Sequence, residues 1–162
     1  MSANNIEKTQ KELSLNIRNK IVELQNQLLP MVDNVNIVIQ DEHAEALFPL
    51  KHTFAEGIYV RQMTMNKGSW CIGKIHKHLH VWFLLTGHIT VVTEDVKEDY
   101  IAPCYVKAKP GTKRVIFANE NSIFVNIHKN PDELRDIEEL EKQIACVDWE
   151  EYEDYINKKK KL

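Results

Sequence analysis

Three histidines at alternate positions, His76, His78 and His80, stand directly before an apolar run that ends at Gly87. Imidazole is the commonest metal-binding side chain in proteins, and it coordinates in its neutral form. On an unbroken strand the three side chains would face the same way, because side-chain direction in a strand repeats every two residues. The spacing leaves two possibilities open, a metal site or a hydrogen-bonded polar patch.

The composition sets limits on the class of protein. The chain has 162 residues, 43% of them hydrophobic, and its formal net charge is −3. This length suits one core, and the absence of a basic surface argues against a nucleic-acid partner. No stretch of about 18 apolar residues and no signal-peptide pattern occurs, so we expect a cytoplasmic protein without a membrane partner. The three cysteines lack a CxxC pair, which favours reduced, buried thiols over a disulfide framework, a zinc site or a catalytic cysteine.

The elements that must position the histidines are mainly strands. Before them, apolar residues at helical spacing predict an amphipathic helix over residues 6–29 that packs on the domain or on a second subunit. Its apolar stripe consists of Leu13, Ile17, Ile21, Leu24 and Leu28. After Pro30, short runs rich in β-branched and aromatic residues predict an antiparallel sandwich or barrel. These runs are VNIVIQ, GIYVRQMTM, VWFLL, HITVVTE, YVKAK, RVIFA and SIFVNIH.

Two further local signals concern the end of the chain. Asn119-Glu120-Asn121 is a turn signal that predicts a hairpin between RVIFA and SIFVNIH, and this hairpin would bring His128 level with Lys113 or Arg114. Asn130-Pro131 predicts the start of a helix, since Asn caps helices and Pro suits their first position. That helix would carry Leu134, Ile137, Leu140 and Ile144, and a second short helix would carry Trp149, Tyr152 and Ile156. We therefore expect a helix in residues 1–30, a β domain in 31–130 and a helical extension in 131–162.

Two segments, residues 73–87 and 109–114, resemble the two motifs of the cupin superfamily. Cupins are small barrels or jelly rolls that bind a metal through HxH, an acidic residue six positions before a glycine, and a histidine after a P-G turn. Gly87 matches the motif glycine, which places His80 at the usual Glu position and His76 at the second histidine of HxH. Lys74 stands at the first histidine position and Arg114 at the last. The usual cupin ligand set is therefore incomplete here.

The chain is also similar to small cupin-like proteins of phage genomes, through the H-K-x-x-H run, Ala102-Pro103, the turn from Pro110 to Arg114, and a terminal histidine. The resemblance implies a mainly β, cupin-type antiparallel barrel or jelly roll with an N-terminal helix and C-terminal helices. A phage-encoded member would occupy the host cytoplasm or associate with the virion. Most members have no assigned activity.

Combined with the predicted hairpin, the resemblance makes His76, His80 and His128 the best ligand set, because His128 would lie one strand from the absent motif histidine. A turn between strands would leave His78 in a loop, with a role as a fourth ligand as the alternative. Three neutral imidazoles suit Zn, Fe, Ni, Mn or Cu and leave positions open for water or substrate. The remaining histidines, His43, His52 and His88, are expected at the surface or at strand edges.

Around such a metal, Arg114 and Lys74 are the candidates to orient an anionic substrate. The candidates for an apolar wall are Tyr59, Trp82 and Tyr105. The alternatives are that Arg114 pairs with a surface carboxylate and that the aromatic side chains belong to the core. Two functions follow: a metal-dependent enzyme acting on a small anionic or polar substrate, or a non-catalytic module such as a phage-particle accessory or structural protein or a small-ligand binder. We expect a homodimer in either case.

Overall fold

The computed structural model describes residues 3–28, 37–39 and 48–161. Strands make up most of the middle of the chain, and helices flank them, which confirms the predicted mainly β class with terminal helices. The helices are α1 (Ala3–Leu28), α2 (Ile137–Ile144) and α3 (Trp149–Lys159). The first strands are β1 (Ile37–Ile39), β2 (Leu50–Ala55), β3 (Ile58–Met65), β4 (Trp70–Ile72), β5 (Ile75–His76) and β6 (His80–Thr86). The remaining strands are β7 (His88–Val92), β8 (Lys97–Ile101), β9 (Cys104–Ala108), β10 (Val115–Ala118), β11 (Ser122–Lys129) and β12 (Ala145–Cys146).

The strands form two five-stranded sheets and a two-stranded ladder. Sheet I has the order β1-β4-β10-β7-β8, sheet II has the order β2-β3-β11-β6-β9, and the ladder joins β12 to β5. All neighbours are antiparallel except β1 and β4, which are parallel. Without the edge strands β1 and β2, each sheet has four strands, and the chain passes back and forth between the two sheets. This strand order is that of a jelly roll, the arrangement that the resemblance to cupins predicts.

The main core lies between the two sheets. Sheet II contributes Met63, Trp82 and Phe124, and sheet I contributes Val91 and Ile116. Side chains alternate between buried and more exposed along β3, β6 and β7, as expected for strands with one face against a core. This alternation matters for function, because polar residues on the buried face of a strand must point between the sheets.

Helix α1 packs on its own domain. Ile21 is 3% exposed and packs with Ile72 and Val115 of sheet I, and the neighbouring stripe residues Ile17 and Leu24 are partly buried in the same cluster. Leu13, at the start of the predicted stripe, is 59% exposed. Of the two expected partners for the stripe, the described contacts therefore assign its central part to the domain. None of the described helices is both long enough and apolar enough to cross a membrane.

The predicted hairpin about residues 119–121 is wrong. Strand β10 lies in sheet I between β4 and β7, whereas β11 lies in sheet II between β3 and β6, so both edges of each strand are already occupied. The turn crosses from one sheet to the other, and its backbone bonds elsewhere, with the Asn119 amide donating to the His88 carbonyl. Gly87 makes room for the crossing: its φ is +87°, and a Cβ there would lie 2.4 Å from the Asn121 carbonyl oxygen.

The predicted helix start at Asn130-Pro131 is also wrong. Helix α2 begins at Ile137, and Asp136 caps it by accepting a hydrogen bond from the Glu139 amide at 3.0 Å. The Asn130 side chain instead closes a turn, accepting from the Leu134 amide at 3.0 Å and donating to its carbonyl at 2.9 Å. A local capping bond is thus present, but it stabilises a turn before the helix. The second predicted helix is confirmed as α3.

The remaining predictions concern the individual strands, His43 and the cysteines. Of the run VNIVIQ, residues 37–39 form β1, and the rest lies outside the described residues, as does His43. Strands β2, β4, β5, β8 and β12 were not predicted as separate runs. All three cysteines are free thiols, and the burial of Cys71 and Cys146 and the half-burial of Cys104 agree with their predicted packing role.

Candidate metal centre

The histidine cluster lies at one end of the jelly roll, where three strands converge. His76 ends β5, His80 begins β6, and His78 lies in the turn between them, as predicted. His128 lies in β11, whose register pairs Asn126 with Trp82 of β6 and so brings His128 level with His80. The predicted convergence of His128 on the other two histidines therefore occurs, although it results from pairing with β6 and not from the predicted hairpin.

The backbone of His76 is held by two distant parts of the chain. The Gly111 amide, in the P-G turn, donates to the His76 carbonyl at 2.8 Å. On the other side His76 pairs with Ala145 of β12, and the Lys77 amide donates to the Ile144 carbonyl at 2.8 Å. The turn and the C-terminal extension together fix the strand that presents the first histidine.

The three imidazoles form a compact and buried group. Each offers a ring nitrogen, and these nitrogens lie within 4.8 Å of one another. The ring centroids of His76 and His80 are 4.1 Å apart, and His128 lies 5.2 Å from the first and 4.7 Å from the second. The exposed fractions are 3%, 4% and 1% for His76, His80 and His128. A compact group of buried nitrogen donors is the arrangement that a divalent transition metal requires.

His128 gives the most direct indication of a missing ligand. Both of its ring nitrogens are buried and have no hydrogen-bond partner among the described residues. Buried polar atoms are nearly always satisfied, and leaving one unpaired costs roughly 1–3 kcal/mol. A metal ion bound at one nitrogen would satisfy the lone pair of a neutral imidazole. The residues present therefore fit a divalent metal.

Arg114 is the nearest cation to this group. Its Nη1 and Nη2 atoms lie 3.3 and 3.2 Å from Nε2 of His80, and Nη2 lies 3.4 Å from Nδ1 of His76. A guanidinium group only donates, so both imidazole nitrogens accept. In His80 the proton must then sit on Nδ1, which faces the His78 carbonyl at 3.3 Å. These contacts favour the tautomer of His80 that is protonated at Nδ1.

Burial and the arginine keep the three histidines neutral. Burial, followed by the Arg114 charge, lowers the pKa of His80 to about 3 and holds the pKa of His76 well below its usual range. For His128, burial followed by repulsion from His80 lowers the pKa to about 2. Neutral imidazole is the form that binds metal, so all three side chains are in a coordinating state at neutral pH.

A second buried arginine, Arg61, lies behind the cluster and is charge-paired. Its Nη1 atom donates to Oε1 of Glu141 at 2.8 Å, and the other oxygen of that carboxylate accepts from Lys74 at 2.5 Å. One carboxylate from α2 thus joins two cations from β3 and from the segment before β5. Lys74, predicted as an anion-binding residue, is placed in this ion pair.

Arg114 differs from Arg61 in its partners. It is 5% exposed, and besides the two histidines it contacts only Oδ1 of Asn126, at 3.3 Å, and the ring of Phe124, 5.9 Å from its Cζ. Within the described part of the chain it has no carboxylate partner, so the alternative of a surface ion pair does not apply. Burial, followed by repulsion from Arg61, lowers the pKa of its guanidinium group to about 10.

A small cavity of about 20 Å³ lies beside these groups. Its polar walls include Arg61, Arg114, His76 and Asn126, and its apolar walls come from both sheets. A space of this size admits about one water molecule or a group of similar bulk. The cavity therefore connects the buried guanidinium groups to one edge of the histidine cluster.

The predicted aromatic wall is dispersed. Tyr59 is fully buried, stacks 6.1 Å from His128, and shares a hydrogen bond of 2.7 Å with His52. Trp82 lies in the main core against Phe124, with ring centroids 5.0 Å apart. Tyr105 is 70% exposed. Only Tyr59 is thus brought into ring contact with the histidine cluster.

Three residues near the cluster escaped the sequence analysis: Arg61, Asn126 and Glu141. A signal existed for two of them. Arg61 lies on the buried face of β3 with Met63, and Asn126 lies on the buried face of β11 between Phe124 and His128. A charged or amide side chain at such a position must face the interior. Glu141 is one of three glutamates in α2, so its residue type carries no comparable signal.

No protein-family model matches the sequence, and no curated protein matches it. Solved structures similar to the chain include a cupin 2 domain-containing protein from Halorhodospira halophila, at 22% identity and a TM-score of 0.47 over 61% of this chain and 77% of that one. A cupin 2 conserved barrel domain protein from Salinispora arenicola has 13% identity and a TM-score of 0.46 over 53% and 78%. An acetylacetone dioxygenase from Acinetobacter johnsonii has 17% identity and a TM-score of 0.45 over 51% and 60%. At these scores the fold assignment rests on the strand order.

Proposed function

We propose that the protein binds one divalent transition metal through His76, His80 and His128 and acts on a small anionic or polar substrate at that metal. The observation that carries the proposal is the convergence of three buried, neutral imidazoles whose donor nitrogens lie within 4.8 Å of one another. Three protein ligands leave coordination positions open, as catalytic sites require and structural sites generally do not. Candidate metals are Zn, Fe, Ni and Mn.

The protein's own groups would bind and orient the substrate. Arg114 presents a planar fork of donors that matches a carboxylate or another oxyanion, and burial strengthens such contacts by removing competing water. Asn126, adjacent to it, contributes an amide whose NH₂ group can donate to a polar oxygen. When bound, the metal would polarise a substrate oxygen or lower the pKa of a bound water molecule.

The size of the cavity supports the alternative function, a module that holds a metal or a small ligand without turnover. A cavity of about 20 Å³ is far smaller than the pockets of roughly 300–1,000 Å³ that enclose drug-sized ligands. A substrate larger than a few atoms would have to approach from outside the cluster. Adding small carboxylates to the metal-loaded protein and assaying for their chemical conversion separates the two functions.

Metal content of the purified full chain tests the proposal. We expect about one equivalent of metal per chain in the wild type, and strong loss of metal in His76→Ala, His80→Ala and His128→Ala, because each variant removes one of three donors. His88→Ala is the matched control, since His88 begins β7 at the far end of the β6 strand that His80 begins. Full metal content in all three variants, with native circular dichroism, would disprove the site.

A further inference from the structure

We propose that a small oxyanion bound at Arg114 is a co-ligand that the metal site requires for tight binding. This inference rests on the proposed metal site. It adds a small oxyanion as a second ligand, whose binding frees the histidines for the metal. In the anion-free protein Arg114 holds the lone pairs that the metal needs, and the oxyanion releases them by taking over the guanidinium donors.

The competition follows from the hydrogen-bond inventory of imidazole. A neutral histidine has one acceptor nitrogen, and its other ring nitrogen carries the proton. Arg114 donates to Nε2 of His80 and to Nδ1 of His76, so it occupies the single acceptor of each ring. A metal ion can bind these rings only where that lone pair is free. Two of the three proposed ligands are therefore blocked while the guanidinium stays in place.

The charge balance points to an anion as the releasing group. Arg61 and Lys74 share the Glu141 carboxylate, whereas Arg114 contacts no carboxylate in the described part of the chain. A buried charge normally has a counter-charge, because burying it alone is costly. A divalent cation placed beside Arg114 would add further repulsion. One negative charge bound beside Arg114 would offset both the cost of burying the guanidinium charge alone and its repulsion of the metal ion.

The cavity supplies the place for that anion. It borders Arg61, Arg114 and Asn126 on its polar side and reaches His76 at its edge. An oxyanion there can accept from the guanidinium fork and so draw its donors away from the two histidines. The space of about 20 Å³ admits one oxygen-sized group, so it favours the smallest oxyanions, bound with one oxygen inside the cavity. We therefore infer a small carboxylate, with formate as the simplest probe.

Binding of the two ligands must then be reciprocal. If the oxyanion raises metal affinity by some factor, the metal raises oxyanion affinity by the same factor, because both pathways connect the same states. The coupling should be large, since a divalent ion and a guanidinium group a few ångströms apart repel each other even at an effective dielectric constant of about 20. We expect the bound oxyanion to lower the metal dissociation constant about tenfold or more.

Titration of the chelator-treated full chain with Co²⁺, followed by its visible absorption and by calorimetry, measures this coupling. Parallel titrations contain formate, inorganic phosphate or chloride at equal ionic strength. Formate should tighten Co²⁺ binding to the wild type about tenfold or more, whereas chloride, which offers no planar pair of oxygens, should not. Phosphate distinguishes an inorganic oxyanion from a carboxylate, and the cavity size predicts a weaker effect for the bulkier ion.

Arg114→Gln removes the competing charge and the fork. It should bind Co²⁺ more tightly than the wild type without formate, and formate should no longer change its affinity. Arg114→Lys keeps the charge without the paired donors and should retain an anion response smaller than that of the wild type. Arg135→Gln is the matched control: Arg135 is exposed, stacks on Phe54, and should leave both the affinity and the formate response unchanged.

The outcomes separate this inference from the metal site itself. Unchanged Co²⁺ affinity of the wild type in formate would overturn the inference, and so would weaker binding in a folded Arg114→Gln variant than in the wild type. Either result would leave the histidine site standing as long as His128→Ala lowers Co²⁺ binding. Absence of Co²⁺ binding to the wild type and to Arg114→Gln, with or without formate, would overturn both proposals.

Discussion

Ala145 pairs with His76 across the two-stranded ladder, so the C-terminal extension forms one wall of the candidate metal centre. The extension is tied down by apolar packing as well, since Leu140 and Ile144 form a second core cluster with Tyr59 of β3. Tyr59 in turn stacks near His128. Helix α2 and the strand after it are therefore linked by direct contacts to the surroundings of two of the three histidines.

Glu141→Gln should destabilise the protein by about 1–3 kcal/mol, because it removes the carboxylate that neutralises the buried Arg61 and the half-buried Lys74. Urea unfolding followed by circular dichroism measures the difference. Glu139→Gln is the matched control on the same helix, since Glu139 pairs with Lys142 at the surface and should show no measurable change. Equal effects of the two substitutions would contradict the buried ion pair.

His78→Ala tests the ligand count. His78 lies in the turn before β6, and its ring meets that of His128 edge-on, with centroids 5.8 Å apart. Because it lies outside the group of three whose nitrogens converge, we expect its removal to leave metal content close to the wild-type value, as His88→Ala should. Metal loss equal to that of His76→Ala would raise the count to four and leave fewer open positions for chemistry.

The stability of the metal-free protein should fall as the pH drops from about 6.5 to 4.5. In the unfolded chain the histidines take up protons near pH 6.5, whereas burial lowers the folded pKa of His80 to about 3 and that of His128 to about 2. The unfolded state then binds more protons, so stability is present above pH 6.5 and is lost below it, by up to about 1.4 kcal/mol per pH unit for each histidine. Urea unfolding at several pH values measures this slope. His128→Gln should reduce the slope, and an unchanged slope in that variant would contradict the prediction.

Ile21→Ala should cost about 2–4 kcal/mol, because Ile21 is 3% exposed and fills the contact between α1 and sheet I at Ile72 and Val115. Leu13→Ala, on the same helix but 59% exposed, should have little effect. Thermal and urea unfolding give both values. Similar small effects at the two positions would mean that α1 does not dock on the domain in solution.

The homodimer stays a prediction, and light scattering of the full chain at micromolar concentration should give the mass of two chains. The central stripe of α1 packs within its own domain, so the helix offers only its exposed residues, such as Leu13 and Leu15, to a second subunit. The double variant Leu13→Glu and Leu15→Glu should keep the dimer if the contact lies on a sheet edge, as we expect. A one-chain mass for the wild type would exclude the dimer at that concentration.

Local periodicity determined much of this protein. Runs rich in β-branched and aromatic residues predicted most of the strands, because such residues suit a half-buried pleated surface. The turn at His78 was predicted from the cupin resemblance, and the packing role of the cysteines from their number and spacing. The set His76, His80 and His128 required one further step, the resemblance to cupin motifs, because spacing alone does not say which strands meet.

Only the tertiary structure decided the long-range partners. The turn at residues 119–121 has the composition of a hairpin turn but crosses between sheets, because both edges of β10 and of β11 are already paired. Glu141 reaches Arg61 and Lys74 across 80 and 67 positions of chain, and Ala145 reaches His76. The contacts of buried Arg114 with two histidines are also long-range contacts of this kind. A local sequence pattern specifies which face of an element is apolar, whereas the choice of partner for that face depends on which other surfaces and edges remain unoccupied in the folded chain.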